Sequence, residues 1–245
     1  MNIKCLNRIR WILGVSIKLI KFSIGNPKGI IPAISYLVNW RRDIAEGIKR
    51  AANLEEAKRS LDERVLCPKA EDRWFNLYKI VRNLKPDVVV ETGVAAGEST
   101  SYILQALEDN GVGKLYSIDL PNQFYLTSNN IFHGEFSPLG KGSGYLVPER
   151  LKHRWNLTLG DTYNELPKLF KKIQEVNLFL HDSKHTYEVQ KFEMECAWPS
   201  IKVGGFLIVD DADWSYAFEE FCNLKKAKGT IQNGQGIIQK PSTTN

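Results

Sequence analysis

The sequence contains few cysteines, and none of them is arranged for a structural role. Four occur in 245 residues, at positions Cys5, Cys67, Cys196 and Cys222. They form no CxxC pair and show no spacing typical of a metal site. The chain is therefore not built around disulfides or zinc, and its scattered thiols are typical of a reducing compartment, which predicts a cytoplasmic location.

No segment is apolar over the ~18 residues that a membrane-spanning helix requires. Within residues 1–42 the longest uncharged run is Gly29–Trp40, with 12 residues, and Pro32 interrupts it. Lys18 and Lys21 break the apolar stretch that precedes this run, and no small-x-small cleavage site is present. The sequence therefore predicts neither a spanning helix nor a secretory signal peptide.

Acidic residues are absent from residues 1–42, which carry eight lysines and arginines. Since the whole chain has a net charge of +5, this arm carries +8 and the remainder carries −3. The acidic remainder argues against nucleic-acid binding by the main body, because contacts to phosphates need clustered basic residues there. A composition of 43% hydrophobic and 25% charged residues is that of a globular protein and excludes a disordered chain, a collagen or a coiled coil.

The basic arm, residues 1–42, has the apolar periodicity of an amphipathic helix. One face collects aliphatic side chains at helical spacing: Ile9, Ile12, Leu13, Ile17, Ile20 and Ile24. One interpretation is a helix that lies on the inner, anionic face of a membrane as a peripheral contact. The other is a helix that packs on its own domain or on a second subunit of a homo-oligomer. Both interpretations stay open on the sequence alone.

The rest of the chain predicts an α/β domain. Residues 43–85 have the pattern of a helical lead-in, and residues 86–241 alternate short apolar runs with helical segments. The predicted strands are Val88–Val90, Lys114–Ile118, Leu157–Leu159, Val176–Leu180 and Phe206–Val209, followed by a hairpin over Thr230–Gln239. This pattern indicates a doubly wound, mostly parallel sheet with an antiparallel C-terminal hairpin, preceded by a helical N-terminal arm.

Residues 121–150 show no clear periodicity and carry several glycines and aromatic residues. So long a segment without regular structure is unusual within a compact domain, unless it forms a lid or a binding loop. It follows the second predicted strand, at the ligand-bearing edge of a parallel sheet. We therefore expect a substrate lid here, the alternative being a passive insertion.

A glycine-containing turn separates the first strand from the helix after it. The stretch Val90–Ser99 reads VETGVAAGES, with Gly93 and Gly97 as its two glycines. Glycine allows a ligand to approach the backbone closely, and the helix N-terminus after Gly97 favours an anion. The spacing differs from the G-x-G-x-x-G of dinucleotide-binding proteins, which argues against a nicotinamide dehydrogenase. A tight turn without a ligand is the alternative.

Acidic residues also end the second and third predicted strands. Asp119 ends the second strand, where a carboxylate can accept from both hydroxyls of a ribose. Asp161 follows the third strand, where an acid can accept from an adenine amino group. Each acid has a helix cap or a turn as its alternative role. Together with the glycine turn, they indicate a nucleoside-binding edge of the sheet.

The fourth and fifth strands end in a second group of acids. Asp182 follows the fourth strand, and Asp210 and Asp211 follow the fifth. Neighbouring parallel strands end close together, and three carboxylates repel one another unless they are protonated or bound to a metal. Oxygen ligands suit Mg²⁺, Ca²⁺ or Mn²⁺. His181 and His185 lie beside these acids as a candidate base or a softer ligand.

These motifs together resemble class I S-adenosylmethionine-dependent methyltransferases, which have a Rossmann-like fold. The stretch HDSKHTYE from His181, with Gly204-Gly205 and Asp210-Asp211, is similar to a branch that includes macrocin-type O-methyltransferases and cephalosporin-hydroxylase-like proteins. The resemblance covers about residues 65–240 and leaves the basic arm outside it. One departure is visible, because Ser-Lys-His-Thr-Tyr follows Asp182 where the macrocin-type pattern has a glycine and a second aspartate.

The resemblance implies a cofactor-binding role for five residues. Glu91, Gly93 and Gly97 would hold the methionine part of S-adenosylmethionine. Asp119 would hold its ribose, and Asp161 would hold its adenine. The whole segment from residue 86 to residue 241 would then be an S-adenosylmethionine-binding domain.

The resemblance also implies a metal-assisted transfer to a hydroxyl group. Asp182, Asp210 and Asp211 would bind a divalent metal, with Mg²⁺ the first candidate, and Asp182 or His185 would take the proton of the acceptor. The acceptor would be a small molecule or a glycan. Two alternatives stay open: a non-catalytic cofactor-binding protein or membrane-docked scaffold, and a hydroxylase-associated component on the same fold.

Overall fold

The computed structural model describes residues 54–121 and 142–242. The basic arm and the centre of the predicted lid therefore lie outside the described residues. The helices in the described ranges are α1 (Leu54–Leu66), α2 (Phe75–Leu84), α3 (Glu98–Asn110), α4 (Thr162–Lys172), α5 (Tyr187–Ala197) and α6 (Ala217–Lys225). The strands are β1 (Val88–Thr92), β2 (Lys114–Asp119), β3 (Trp155–Leu159), β4 (Val176–His181), β5 (Ile201–Val209), β6 (Gly229–Gln232) and β7 (Gln235–Gln239). Short 3₁₀ turns over Glu149–Arg154 and Trp198–Ser200 precede β3 and β5.

These strands form one sheet in the order β3-β2-β1-β4-β5-β7-β6. Strands β1 to β5 run parallel, and β7 pairs antiparallel with both β5 and β6. The chain proceeds outward from β1 to β3 and then crosses to the other side of β1 with β4. Such a reversal opens a crevice at the carboxyl ends of β1 and β4, where doubly wound proteins bind their ligands. The predicted fold class, a Rossmann-like sheet with an antiparallel C-terminal hairpin, is confirmed.

The central strands of the sheet are buried on both faces, and each face has its own core. Val89 and Leu178 are completely buried in the core that α1, α2 and α3 cover. Val90 and Phe179, their neighbours in sequence, are completely buried in the core that α4, α5 and α6 cover. Successive side chains of a strand point to opposite faces. A central strand is therefore mostly apolar on both faces, as Val88–Val90 of β1 and Leu178–Leu180 of β4 are.

Strand β5 begins earlier than the sequence predicts. The predicted strand starts at Phe206, because two glycines precede this residue. The strand in the structure spans Ile201–Val209. The Gly204 N–H donates to the Lys240 carbonyl and the Lys240 N–H donates to the Gly205 carbonyl, both at 2.8 Å. Gly204 has a φ of +79°, and the register against β4 shifts here. The glycines thus form an irregularity inside the strand and not its boundary.

The described part of the helical lead-in packs on the sheet. Helices α1 and α2 fall within residues 43–85, where the sequence predicts helices. Leu77 and Val81 of α2 are buried in the core beside α3. None of the helices in the described ranges has the length and apolar character needed to cross a bilayer.

Candidate active site

The glycine turn after β1 requires its glycines. Gly93 has a φ of +81° and Gly97 a φ of +95°, conformations that side chains disfavour. A Cβ atom on Gly93 would lie 2.0 Å from the carbonyl oxygen of Asp182. The turn after β1 therefore touches the backbone of the loop after β4. Gly97 is the N-cap residue of α3, so this turn presents a helix N-terminus to the crevice.

The end of the predicted lid is packed on this turn. The Gly144 N–H donates to the Ala95 carbonyl at 2.8 Å, and the Leu146 N–H donates to the Ala96 carbonyl at 3.0 Å. A Cβ atom on Gly97 would lie 2.5 Å from a methyl carbon of Val147. Residues 144–147 thus form one wall of the glycine turn. The function of residues 121–150 as a substrate lid stays a prediction.

Glu91 is completely buried at the end of β1. Its carboxyl accepts hydrogen bonds from the hydroxyls of Ser99 at 2.8 Å, Thr100 at 2.8 Å and Ser117 at 2.7 Å. Burial raises the pKa of Glu91 to about 7, although these hydrogen bonds act to lower it. The side chain thus ties the start of α3 to β2. Its proposed contact with the methionine part of the cofactor stays a prediction.

Asp119 lies at the end of β2, beside the glycine turn. Its residue surface is 4% exposed, and burial raises the pKa of its carboxyl. Hydrogen bonds from the backbone N–H groups of Val94, Leu120 and Ala95 act to lower this pKa. The carboxyl therefore faces the backbone of the turn from the neighbouring strand, which is the placement expected of a ribose-binding acid.

Asp161 is a helix cap. It is the N-cap residue of α4, and its Oδ1 atom accepts a hydrogen bond from the backbone N–H of Tyr163 at 2.8 Å. This is the alternative role that the sequence left open for it. A contact between its second carboxyl oxygen and an adenine stays a prediction.

Asp182 and Asp210 form a pair of neighbouring carboxyls at the ends of β4 and β5. Asp210 is 2% exposed and Asp182 is half-buried. Burial and the neighbouring Asp210, which also forms a hydrogen bond with it, raise the pKa of Asp182 well above its usual range. Two carboxyls this close repel each other when both are ionised, so the pair favours a shared proton or a neighbouring cation. The structure therefore brings together two of the three predicted metal ligands.

Arg73 forms an ion pair with Asp210, a contact that no sequence motif indicates. Its guanidinium donates a hydrogen bond to Oδ2 of Asp210 from a position 137 residues earlier in the chain. The side-chain Nε2 of Gln235, on β7, donates to Oδ1 of Asp210 at 3.4 Å. An isolated arginine before a helix carries no signal in the sequence that would connect it to a strand end so far away. Only the packing of the lead-in helices on the sheet places it there.

A buried polar network lies beneath the acidic pair. Glu193, on α5, is completely buried and accepts hydrogen bonds from Thr92, from Nδ1 of His181 at 2.7 Å and from the Ser183 hydroxyl at 2.7 Å. Burial acts to raise the pKa of Glu193, but His181 and these hydrogen bonds lower it overall. The Nε2 atom of His181 is buried without a hydrogen-bond partner within the described ranges. Glu193 therefore links β1, β4 and the loop after β4.

His185 and Asp211 form a second contact beside the pair. The Nε2 atom of His185 lies 3.7 Å from Oδ2 of Asp211. The histidine ring packs between the rings of His181, with centres 5.7 Å apart, and Trp214, with centres 5.5 Å apart. Burial and the nearby His181 lower the pKa of His185, while Asp211 opposes this. The ring is therefore neutral at pH 7, as a general base has to be.

The acidic pair suits Mg²⁺ by its chemistry. Within residues 54–121 and 142–242, no three His, Cys, Asp or Glu side chains are grouped as metal ligands. Mg²⁺ is, however, commonly held by only one or two carboxylates together with water molecules. Asp182 and Asp210 provide two such carboxyls side by side, whereas Asp211 is directed to His185. A metal site made from all three acids stays a prediction.

Comparison with known proteins identifies the family. A family model described as a methyltransferase domain matches residues 90–212. The chain therefore belongs to this family and is a class I S-adenosylmethionine-dependent methyltransferase, as the sequence motifs predict. No curated protein matches the sequence.

Solved structures share the fold at low sequence identity. MycE, a methyltransferase from the mycinamycin biosynthetic pathway solved with Mg, SAH and mycinamycin VI, is 12% identical with a TM-score of 0.51, over 76% of this chain and 54% of MycE. An O-methyltransferase from Bacillus cereus in complex with SAH is 15% identical with a TM-score of 0.50, over 77% of this chain and 91% of that one. The O-methyltransferase NovP is 18% identical with a TM-score of 0.51, over 69% of this chain and 81% of NovP. This chain thus spans about half the length of MycE.

Proposed function

We propose that this methyltransferase transfers the methyl group of S-adenosylmethionine to a hydroxyl oxygen of a sugar or another small molecule, with the assistance of a divalent metal. One observation carries the proposal. A Cβ atom added at Gly93 would lie 2.0 Å from the carbonyl oxygen of Asp182. The glycine turn after β1 and the loop after β4, which carries Asp182, are therefore in contact. A methyl group held at the turn would therefore be next to the acids.

The cofactor side of the site consists of the turn and the strand ends around it. Gly93 and Gly97 give the turn the positive φ angles that bring it against the loop after β4 and against Val147. The backbone of the turn binds the methionine part of the cofactor, and the N-terminus of α3 adds partial positive charge for its carboxylate. Asp119 accepts from the ribose hydroxyls, and Asp161 from the adenine amino group. Glu91 holds the turn in place through the hydroxyls of α3 and β2.

The acceptor side consists of Asp182, Asp210 and His185. Methyl transfer requires the acceptor oxygen, the methyl carbon and the sulfur in line, so positioning accounts for much of the catalysis. His185, neutral because burial lowers its pKa, takes the proton of the acceptor hydroxyl, or Asp182 takes it instead. Lowering the pKa of that hydroxyl is the chemistry that a divalent cation supplies when it is bound at Asp182 and Asp210, with Asp211 as a further ligand.

The similar structures support transfer to oxygen. Two of the three are O-methyltransferases by name, and the third, MycE, was solved with Mg, SAH and mycinamycin VI. At this low identity the structural similarity shows the fold alone, so the argument for a hydroxyl acceptor rests on the acids and His185. A hydroxyl acceptor is a weak nucleophile until its proton leaves, and this site has groups that can remove it.

Calorimetric titration with S-adenosylmethionine, with and without Mg²⁺, tests the cofactor site. We expect binding with a Kd on the order of micromolar for the wild-type protein, and loss of binding in Asp119→Ala. Asp87→Ala is the matched control, because Asp87 is exposed at the opposite end of the sheet, before β1. The proposal fails if the wild-type protein does not bind S-adenosylmethionine under either condition.

Methyl-labelled S-adenosylmethionine tests the reaction. Incorporation of label into sugar nucleotides, glycosides or simple phenols would identify a hydroxyl acceptor, and Asp182→Asn and Asp210→Asn should reduce it. If both variants keep full activity without added metal, the metal-assisted mechanism is wrong. Binding without transfer to any acceptor would favour the non-catalytic alternative.

A further inference from the structure

The charge of Asp210 is balanced by a residue from outside the segment that matches the methyltransferase domain. The match begins at residue 90, whereas Arg73 lies in the turn before α2. Its guanidinium binds Oδ2 of Asp210, one of the two acids of the pair. The lead-in helices thus contribute a charged group to the acceptor side of the site.

Arg73 reaches the acid from the solvent. Its side chain is 59% exposed, whereas that of Asp210 is 3% exposed. The guanidinium carbon lies 4.9 Å from the centre of the Trp74 ring, over which the group stacks. Among the described residues, one ion pair and one ring contact hold this exposed side chain, which can therefore leave the acid without exposing apolar core.

Arg73 holds one of the two carboxyl oxygens that Asp210 can offer to a divalent cation. Oδ2 of Asp210 accepts from Arg73, and Oδ1 is 3.4 Å from the Gln235 amide nitrogen. A cation held by Asp182 and Asp210 would stand beside the guanidinium, and two positive charges at such a distance repel each other. The guanidinium and the cation therefore exclude each other at Oδ2.

We propose that Arg73 is a built-in competitor of the divalent cation at Asp210. Its guanidinium neutralises the acid pair when no cation is bound and leaves Asp210 when a cation binds. Arg73 therefore sets the cation concentration at which the site fills. This inference rests on the metal assistance that the proposed function includes.

Mn²⁺ binding to the full chain tests this competition without any acceptor. Free Mn²⁺ is measured by electron paramagnetic resonance during titration of the wild-type protein and Arg73→Gln at pH 7.5. Removing one positive charge next to the acids should lower the Kd for Mn²⁺ roughly fivefold to tenfold. Arg73→Lys keeps the charge and should bind Mn²⁺ more weakly than Arg73→Gln.

Two further variants serve as controls. Arg150→Gln removes another arginine that is ion-paired with a carboxylate, Asp62 at 2.6 Å, and should leave the Kd for Mn²⁺ unchanged. The double variant Arg73→Gln/Asp210→Asn should lose the gain in affinity, because it lacks the acid for which the two cations compete. Circular dichroism of each variant confirms that it is folded.

The proposal is overturned if Arg73→Gln binds Mn²⁺ no more tightly than the wild-type protein, if Arg150→Gln gains as much, or if neither the wild type nor Arg73→Gln binds it. Calorimetry with S-adenosylmethionine on the same samples separates this result from the proposed function. Retained cofactor binding with an unchanged Kd for Mn²⁺ refutes the competition alone. If the wild-type protein does not bind S-adenosylmethionine, the proposed function itself is refuted.

Discussion

Glu91 should make the stability of the folded protein depend on pH. The carboxyl is completely buried, and burial raises its pKa from 4.5 to about 7. The folded state therefore retains a proton between pH 4.5 and 7 that the unfolded state has released. Where the folded state binds more protons, stability falls as pH rises. A shift of this size corresponds to a loss of about 3 kcal/mol in the free energy of unfolding, complete above pH 7.

Urea unfolding of the wild-type protein and Glu91→Gln at several pH values between 4.5 and 8 measures this loss. The amide does not ionise, so the stability of Glu91→Gln relative to wild type should rise by about 3 kcal/mol across the range. Acids that do not interact with Glu91 titrate equally in both proteins and cancel in the difference, whereas Asp182, whose pKa the Glu91 charge also raises, adds a smaller contribution. Glu188→Gln, an exposed acid on α5, should show no such change. A difference for Glu91→Gln that stays constant within about 1 kcal/mol would refute the reasoning.

Three further substitutions test the contacts around the site. Gly93→Ala should abolish S-adenosylmethionine binding by calorimetry and lower the melting temperature, because its Cβ atom would lie 2.0 Å from the Asp182 carbonyl oxygen. Glu193→Ala should lower the free energy of unfolding by about 3–5 kcal/mol in urea, because His181 loses its buried partner; a loss below about 1 kcal/mol would contradict the network. Arg150→Ala breaks a partly exposed ion pair and should cost about 1 kcal/mol or less in the same assay.

The fold could be predicted because burial on both faces leaves a strong pattern in the sequence. Val88–Val90 is apolar throughout and Val176–Leu180 is apolar except for Asn177, a pattern that indicates central strands of a parallel sheet. The error at β5 has a local cause. Gly204-Gly205 has the composition of a strand boundary, but the pairing of Lys240 across the glycines keeps the chain in the sheet.

The acids of the site could be predicted because topology alone brings strand ends together. Asp119 is the last residue of β2, Asp182 and Asp210 directly follow β4 and β5, and parallel strands end at the same edge of the sheet. Which acids touch could not be predicted in this way. The separation of Asp211 from the pair depends on the turn after β5, where Asp211 has a φ of +50° and lies near His185.

The groups that compensate these acids could not be read from the sequence, because they belong to other elements. Glu193 is one of several acids on α5, and only the tertiary structure buries it against His181 and Thr92. Arg73 lies in an exposed turn and reaches Asp210 only because α2 packs on the sheet beside it. The sequence thus predicts where the negative charge of the site collects. Side chains from distant parts of the chain determine whether a proton, an arginine or a metal balances that charge. The competition at Asp210 is therefore best tested by measuring Mn²⁺ binding to Arg73 variants.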